Sequence, residues 1–268
     1  MKIFYFYLCC WLCIVSFSAQ AKTELAATES TATESLAKES GIVIQEIAEG
    51  VWTHTSYYHY PNGVQFPSNG LIVKEGESLI LVDTAWGEIK TLQLLTQIKK
   101  QINLPVHHAV VTHAHSDRAA GVDVLEAQGI DVWAHPLTKT LTTEHGLPVP
   151  NKVFKGLEQS NSQVDFHNVK VLFLGAGHAM DNLIVWLPGQ KILFGGCAVR
   201  ATSAKSVGNV KHGDAHSWLK ITDNMAKQFS HAKLVVPGHG EVGGTELLSH
   251  TQTLLHVYLN SHALNKRL

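Results

Sequence analysis

Histidine, aspartate and cysteine side chains gather where apolar runs of this chain end. Residues 112–121 read THAHSDRAAG and carry His113, His115 and Asp117 at alternate positions, directly after the apolar run HAVV. In an extended segment, alternate side chains point to the same face, and a half-buried strand normally fills that face with Val or Ile. Three metal-capable groups there indicate either the wet end of a surface strand or half of a metal site.

Three later segments supply the same kind of side chain. His178 lies in GAGHAMDN after VLFL, Cys197 in GGC after ILF, and His239 in PGHG after LVV. Each follows an apolar strand pattern and sits among glycines, which allow close approach of backbone in loops that must converge. A single GHG or GGC is usually only a turn. Six ligand-type residues at the same kind of junction together predict a metal site.

Composition limits the classes of partner. The chain has 268 residues and is 45% hydrophobic, which is enough for one large domain or two fused halves. The formal net charge is −1, so nothing points to nucleic acid or to an anionic membrane as a partner. The 17 histidines favour a metalloenzyme, since histidine is the commonest metal ligand.

The first 21 residues read as a signal peptide. Met1 and Lys2 give a positive start, IFYFYLCCWLCIVSF is a short apolar run, and Ala19-Gln20-Ala21 is a small-x-small cleavage site. The alternative is a lipid anchor on one of three cysteines, Cys9, Cys10 and Cys13. Bulky residues precede those cysteines, so we expect cleavage after Ala21 and a soluble periplasmic protein without stable membrane association.

Cleavage changes the cysteine count. The mature chain would keep only Cys197, and a lone cysteine in an oxidising compartment forms no internal disulfide. It is either a small buried hydrophobe or a thiolate held by a metal. Residues 22–41, KTELAATESTATESLAKESG, are too polar to form a core and are predicted to be a flexible leader. The folded domain is predicted over residues 42–268.

From Ile42 onward, strand and helix patterns alternate. LIV at 71–73 and LILVD at 79–83 read as a hairpin, and residues 88–102 have apolar side chains at helical spacing. Further predicted elements are the strands HAVVT, DVWAH, VKVLFL, LIVWL, KILFG and LVV, a short helix ending at Gly129, and helices through Trp218–Phe229 and Leu247–Leu259. The predicted fold class is α/β: two similar halves packed sheet to sheet, with helices outside.

The motifs HAHSDR, GAGHAMDN, FGGC and PGHG, in this order and spacing, resemble the metallo-β-lactamase superfamily and in particular its subclass B1. The resemblance covers nearly the whole mature chain from Ile42. It implies a four-layer αββα sandwich with two zinc ions in a groove along one edge. It also implies that the first zinc is held by His113, His115 and His178, and the second by Asp117, Cys197 and His239.

The resemblance implies zinc-dependent hydrolysis of the β-lactam amide bond of penicillins, cephalosporins and carbapenems, and hence antibiotic resistance. The ligand types agree with it. Three neutral imidazoles and an open position make a catalytic zinc that brings the pKa of a bound water to about 7. A thiolate ligand favours zinc over magnesium. The expected partners are small-molecule β-lactams, and we expect a monomer.

Two alternatives belong to the same fold. Thioesterases of the glyoxalase II type resemble HxHxDH, with a histidine where this chain has Arg118, and use a bridging aspartate where it has Cys197. These two departures favour the lactamase arrangement over a glyoxalase II-like thioester hydrolase. The other alternative is a non-catalytic metal-binding protein, against which the presence of all six ligands argues.

Five residues near the motifs have further implied roles. Besides Asp117, the residue predicted to act in catalysis is Asn209, which matches a family asparagine that hydrogen-bonds the developing oxyanion; it is otherwise a turn residue. Arg200 is at the position where relatives carry a lysine for the substrate carboxylate, with Lys205 as the alternative cation. Arg118 is expected to brace the second ligand group from beneath. Asp83 is expected to orient a ligand or to cap the turn after it.

The stretch YYHYPNGVQFPSNG, residues 57–70, lies between two apparent strands and resembles the mobile flap of B1 enzymes. Its side chains are too apolar for an idle loop tip, so contact with an apolar substrate group is expected for Tyr58, Tyr60, Val64 and Phe66, with Trp86 forming part of the same wall. The alternative is a hairpin turn at 61–63 whose aromatics pack on the body. The remaining histidines are assigned to the surface or core.

Overall fold

Residues 41–265 of the computed structural model are described, and their strands form two sheets. The first sheet has the order β1 to β7, with β1 to β4 antiparallel and β4 to β7 parallel. Its strands are β1 (Ile42–Ala48), β2 (Val51–His59), β3 (Gln65–Glu75), β4 (Ser78–Val82), β5 (Val106–Val111), β6 (Asp131–Ala134) and β7 (Lys152–Val153).

The second sheet has five strands in the order β12-β11-β10-β9-β8. Only the β11–β12 pair in it is parallel. Its strands are β8 (Ser162–Phe166), β9 (Val169–Phe173), β10 (Leu183–Leu187), β11 (Ile192–Gly196) and β12 (Leu234–Pro237).

Six helices accompany the two sheets within residues 41–265: α1 (Glu88–Gln101), α2 (Ser116–Ala119), α3 (Val122–Ala127), α4 (Pro136–Glu144), α5 (Ala215–Gln228) and α6 (Glu246–Asn265). The start of α5 is set by Asp214, whose carboxylate accepts the backbone N–H groups of His216 and Ser217. In this part of the chain, none of the helices has the length and apolar character needed to cross a bilayer.

The apolar strand runs are explained by burial on both faces. On β3, Leu71 and Val73 belong to the core between the two sheets, whereas Ile72 belongs to the core beneath the helices. The same alternation holds on β4 for Ile80 and Leu81. Strands covered on both faces need continuous hydrophobic sequence, and this is why LIV and LILV lack the polar positions of a half-exposed strand.

Helices cover the outer face of each sheet. Leu94 of α1 and Leu125 of α3 pack on the first sheet, and Trp218 of α5 and Leu255 of α6 pack on the second. The layers therefore run helix, sheet, sheet, helix, which confirms the predicted αββα sandwich.

Residues 57–70 were predicted either as a mobile flap between two strands or as a hairpin turn at 61–63, and the hairpin alternative is confirmed. This stretch is not a loop between strands, because β2 and β3 pair as far as His59 opposite Gln65. The turn is confined to 60–64, where the Tyr60 N–H donates to Val64 O and the Gly63 N–H donates to Tyr60 O. The polar and aromatic side chains hid the strand character, because this arm extends beyond the core and needs no apolar alternation. Strands β1, β7 and β8 and helices α2 and α4 were not predicted.

The four ligand-bearing junctions lie at one edge of the sandwich, after β5, β9, β11 and β12. Backbone hydrogen bonds fix these loops relative to one another: Leu183 N–H to Thr112 O at 2.8 Å, Gly238 N–H to Gly196 O at 2.7 Å, and Asn69 N–H to Gly238 O at 2.9 Å. Backbone hydrogen bonds alone therefore join loops from both sheets.

Candidate metal centre

The first group of ligand-type side chains consists of three histidines. His113 Nε2 lies 3.0 Å from His115 Nδ1, and His178 Nε2 lies 3.1 Å from the same Nδ1. Burial lowers the pKa of His115 to about 4, that of His178 to about 3, and that of His113 well below its ordinary value. Three neutral imidazoles therefore point their nitrogens at one place, and this is a donor set that zinc accepts.

The second group is made by Asp117, Cys197 and His239. Cys197 Sγ lies 3.3 Å from His239 Nε2, and Asp117 Oδ2 lies 3.4 Å from that Nε2 and 3.8 Å from Sγ. In each of the two groups the three ligand atoms lie within 4.8 Å of one another. Burial raises the pKa of Cys197 to about 12, so the thiol keeps its proton until a cation replaces it. A mixed carboxylate, thiolate and imidazole set also fits zinc.

Arg118 holds the second group from beneath and is fully buried. Its Nη2 is 3.0 Å from Asp117 Oδ2, donates to Cys197 Sγ at 3.1 Å, and donates to Gly238 O at 2.8 Å. Burial acts to lower the pKa of the guanidinium, but its interactions with the Cys197 sulfur and the carboxylates of Asp117 and Asp83 outweigh it and raise that pKa. The expectation that Arg118 braces these ligands is confirmed.

Asp83 acts on the first group through Thr112. Its Oδ1 accepts the Thr112 N–H at 2.7 Å, its Oδ2 accepts the Thr112 hydroxyl at 2.9 Å, and that hydroxyl lies 3.3 Å from His113 Nδ1. Asp83 takes a left-handed φ of 64°, a strained conformation for a non-glycine residue. Burial raises its pKa to about 6, while Arg118, 3.2 Å away, acts to lower it. Asp83 therefore orients the candidate ligand His113 through the Thr112 hydroxyl.

The N-terminal part of β3 holds the loop of His239. The His239 Nδ1–H donates to Pro67 O at 2.6 Å, which leaves Nε2 for a metal. The Asn69 amide donates to Pro237 O at 3.1 Å and to Gly240 O at 2.7 Å. Sequence patterns missed Asn69, because its partners lie about 170 residues away in the chain and nothing local marks the contact.

Gly238 has to be a glycine for reasons of space. A Cβ atom at this position would lie 2.7 Å from Cys197 Sγ and 2.7 Å from Arg118 Nη2. Any side chain at residue 238 would displace the thiol or the guanidinium that supports it.

Two further side chains support the loop of His178. Asp181 accepts the Ala114 N–H at 2.9 Å and the Thr138 hydroxyl at 2.7 Å through Oδ2, which ties this loop to the HAH segment. The buried Trp218 packs edge-to-face on His178, with ring centroids 5.5 Å apart, and its Nε1–H donates to Ala198 O at 2.7 Å.

A cleft of about 540 Å³ opens above both ligand groups. Arg200, Asn209, Trp86 and Phe66, all predicted for the substrate site, line it. Lys205 is exposed and is not among the lining residues. The lining also contains His145 and His212, which had been assigned to the surface or core. The only sequence signal for these two was the excess of histidine.

Asn209, predicted to bind the oxyanion, and Arg200, predicted to bind the substrate carboxylate, differ in the hydrogen bonds that they already make. Asn209 Oδ1 accepts the Lys211 N–H at 2.9 Å, so the residue does belong to a turn, and its amide N–H group is the part left to donate. The Arg200 Nε is buried and has no partner in the described structure. Burial lowers the pKa of the Arg200 guanidinium, but a guanidinium is not deprotonated in proteins and so stays charged.

An aromatic wall forms one side of the cleft. Phe66 packs against His239 with centroids 4.6 Å apart, and its edge meets Trp86 at 5.9 Å. Tyr60 also lines the cleft. Tyr58 packs on Trp86 at 5.2 Å but does not line the cleft, and neither does Val64, which is 53% exposed. The predicted apolar wall is therefore formed by Tyr60, Phe66 and Trp86.

The two-sheet sandwich and the paired groups of metal-capable side chains at its edge define an α/β protein with two candidate metal sites, and comparison with known proteins identifies its family. A family model described as "Metallo-beta-lactamase superfamily" matches residues 63–239. The "Metallo-beta-lactamase type 2" of Bacillus cereus is 38% identical over 220 residues, covering 81% of this chain and 84% of that protein. That of Bacteroides fragilis is 34% identical over 220 residues, covering 82% and 88%.

A solved structure gives the same result. The metallo-beta-lactamase FIM-1 from Pseudomonas aeruginosa, in its mono-zinc form, matches with a TM-score of 0.77 and 35% identity, covering 81% of this chain and 96% of that one. The chain belongs to the metallo-β-lactamase superfamily, and the family predicted from the four motifs is confirmed.

Replacing Arg118 by Met keeps much of the side-chain volume but leaves Asp83 and Asp117 buried without their cation. In metal-free protein at pH 7 we expect the free energy of unfolding to fall by about 3–5 kcal/mol. Burial already raises the pKa of Asp83 to about 6, and loss of Arg118 raises it further. The folded variant then binds more protons than its unfolded chain, so its deficit relative to wild type should narrow as pH falls from 7 to 5.

Denaturant unfolding at both pH values measures this deficit. Lys170→Met is the control, because it breaks the surface pair of Lys170 with Asp165 and should cost less than about 1 kcal/mol. Equal losses in the two variants would contradict the bracing role of Arg118.

Proposed function

We propose that this protein hydrolyses the amide bond of β-lactam antibiotics with two zinc ions, and so confers resistance to penicillins, cephalosporins and carbapenems. The observation that carries the proposal is the pairing of two unlike donor groups beneath one cleft: three imidazoles whose nitrogens meet at 3.0 and 3.1 Å, and a thiol 3.3 Å from His239 Nε2. The family membership and the names of the relatives support it.

His113, His115 and His178 would hold the first ion, and Asp117, Cys197 and His239 the second. Zinc held in this way supplies Lewis acidity toward a carbonyl oxygen and a leaving nitrogen, and activates water near neutral pH. The chain's own contribution is placement: Arg118 fixes the thiol and carboxylate, and Pro67 O fixes the ring of His239.

The cleft residues orient the substrate. Arg200 brings a cation with a free buried Nε to the rim, where it would meet the carboxylate beside the lactam ring. The Asn209 amide N–H is placed to donate to the oxygen on which negative charge develops. Phe66 and Trp86 offer an apolar face to the substrate's side group.

Thioester hydrolysis of the glyoxalase II type is the weaker reading. The residue after Asp117 is Arg118, whose guanidinium has no lone pair to give to a metal and is already engaged by Cys197 and Gly238 O. The second group is thereby restricted to one carboxylate, one thiol and one imidazole.

The experiment that tests the function is hydrolysis of a chromogenic cephalosporin by the purified mature protein. We expect turnover to be abolished by a chelator and restored by zinc, with two zinc ions per chain by metal analysis and no comparable turnover of a glutathione thioester. Preferential thioester cleavage would contradict the proposal.

The division of ligands is tested in the same preparation by Cys197→Ser. Loss of the soft thiolate should empty the second site preferentially and leave about one zinc per chain, because the three-histidine group is untouched. Two tightly held zinc ions in this variant would show that the division is wrong.

Arg200 and Lys205 form a matched pair of cations on one loop. Only Arg200 lines the cleft, so Arg200→Ala should remove a charge-assisted contact worth roughly 1.5–3 kcal/mol, or about a 10- to 100-fold loss in kcat/KM. The carboxylate is held in ground and transition states alike, so the loss should appear mainly in KM. Lys205→Ala should behave as wild type, and the reverse pattern would assign the carboxylate to Lys205.

We also propose export to the periplasm as a monomer. The signal sequence lies outside the described residues, so its support is the sequence pattern alone. Protein recovered from the periplasmic fraction should have the intact mass of a chain that begins at Lys22, with light scattering giving one chain per particle. A diacylglyceryl adduct, or a dimer, would contradict these proposals.

A further inference from the structure

Both ring nitrogens of His115 are engaged. Its Nδ1 lies 3.0 Å from His113 Nε2 and 3.1 Å from His178 Nε2, so Nδ1 is the atom that belongs to the first ligand group. A neutral imidazole that gives Nδ1 to a metal carries its proton on Nε2. That Nε2 lies 3.0 Å from Nδ1 of His212, so the His115 Nε2–H donates to His212.

His212 is in turn held by His145. Their rings stack with centroids 4.5 Å apart and planes 23° from parallel. The His145 Nδ1–H donates to the carbonyl oxygen of Ala114 at 2.7 Å, which is the residue between His113 and His115. The two histidines come from opposite halves of the chain, His145 from the end of α4 and His212 from the loop before α5.

These contacts hold both the ring of His115 and the backbone of the preceding residue, Ala114. From the other side, Asp181 accepts the Ala114 N–H at 2.9 Å. His145, His212 and Asp181 also line a cavity of about 190 Å³ that adjoins the three-histidine group. The contact with His212 restrains the plane of the His115 ring, and the contacts at Ala114 restrain the backbone that carries it.

We propose that His212 and His145 are positioning residues that lock the orientation and the Nε2–H tautomer of His115 for the first zinc. This inference rests on the proposed function, because it presumes that the three histidines bind zinc. The pair is poorly shaped to bind a third ion, since stacked rings direct their lone pairs along parallel lines that do not meet. Among the histidine, cysteine, aspartate and glutamate side chains of the described residues, only the two groups already given bring three donor atoms within reach of one ion.

Cobalt(II) and zinc binding to the metal-free protein test the proposal without any substrate. Cobalt at either site gives d–d bands, but only the second site gives a thiolate charge-transfer band, so the d–d bands that develop without charge transfer report the first site. His212→Ala should weaken metal binding at the first site about 10- to 100-fold and leave the charge-transfer titration unchanged. A merely structural defect would weaken both sites together.

Two matched variants complete the design. His212→Asn places Oδ1 close to where Nδ1 was and should restore most of the first-site affinity. His216→Ala removes an exposed histidine four residues away and should match wild type. Thermal unfolding of the metal-free proteins should be alike, because His212 is only half-buried.

Unchanged first-site affinity in His212→Ala would overturn the proposal, as would a lost third equivalent of metal, which would make His212 a ligand. Failure of the wild-type protein to bind metal would refute the proposed function itself, and is read from the wild-type titration alone.

Discussion

The site depends on one buried cation. Arg118 reaches from the short helix α2 to the carboxylate of Asp83 after β4, the thiol of Cys197 after β11 and the carbonyl of Gly238 after β12. A guanidinium can satisfy so many acceptors because it is planar and carries five N–H donors. Removing it from water is costly, and only a complete set of anionic and carbonyl partners offsets that cost. The two sheets therefore meet at this edge around a charge that neither could bury alone.

This arrangement explains why the ligand groups differ in character. The first group lies beside neutral contacts: Thr112 at His113, Trp218 at His178 and His212 at His115. The second lies directly on the guanidinium, which favours the anionic forms of Asp117 and Cys197 even though burial opposes ionisation. Three neutral ligands stand next to two potential anions, so the surroundings, and not only the ligand types, distinguish the two positions.

Residues of the candidate site could be predicted where the neighbouring sequence marks them, and not where only contacts distant in the chain do. The six candidate ligands were readable because they follow four apolar strands, whose burial on both faces leaves continuous hydrophobic sequence, as in β5 and β11. Arg118 was readable because it adjoins Asp117. His145 and His212 were not, since their contacts with Ala114 and His115 join residues 31 and 97 positions apart in the chain. The β2–β3 arm was left open between a flap loop and a hairpin, because its outer part packs on no core and so shows no apolar alternation.

The strand β3 connects the exposed turn at 60–64 to residues 67–69, whose hydrogen bonds hold the loop of His239. Its pairing with β2 begins at Gln65, beyond the exposed turn, and only a few residues later Pro67 and Asn69 hold the loop of His239. Substitutions in the turn at 60–64 can reshape one wall of the cleft at little cost to folding, while changes at 67–69 disturb the loop of His239, a candidate metal ligand. Under selection by new antibiotics, inherited variation should therefore accumulate at the tip of this hairpin and stop abruptly at its base.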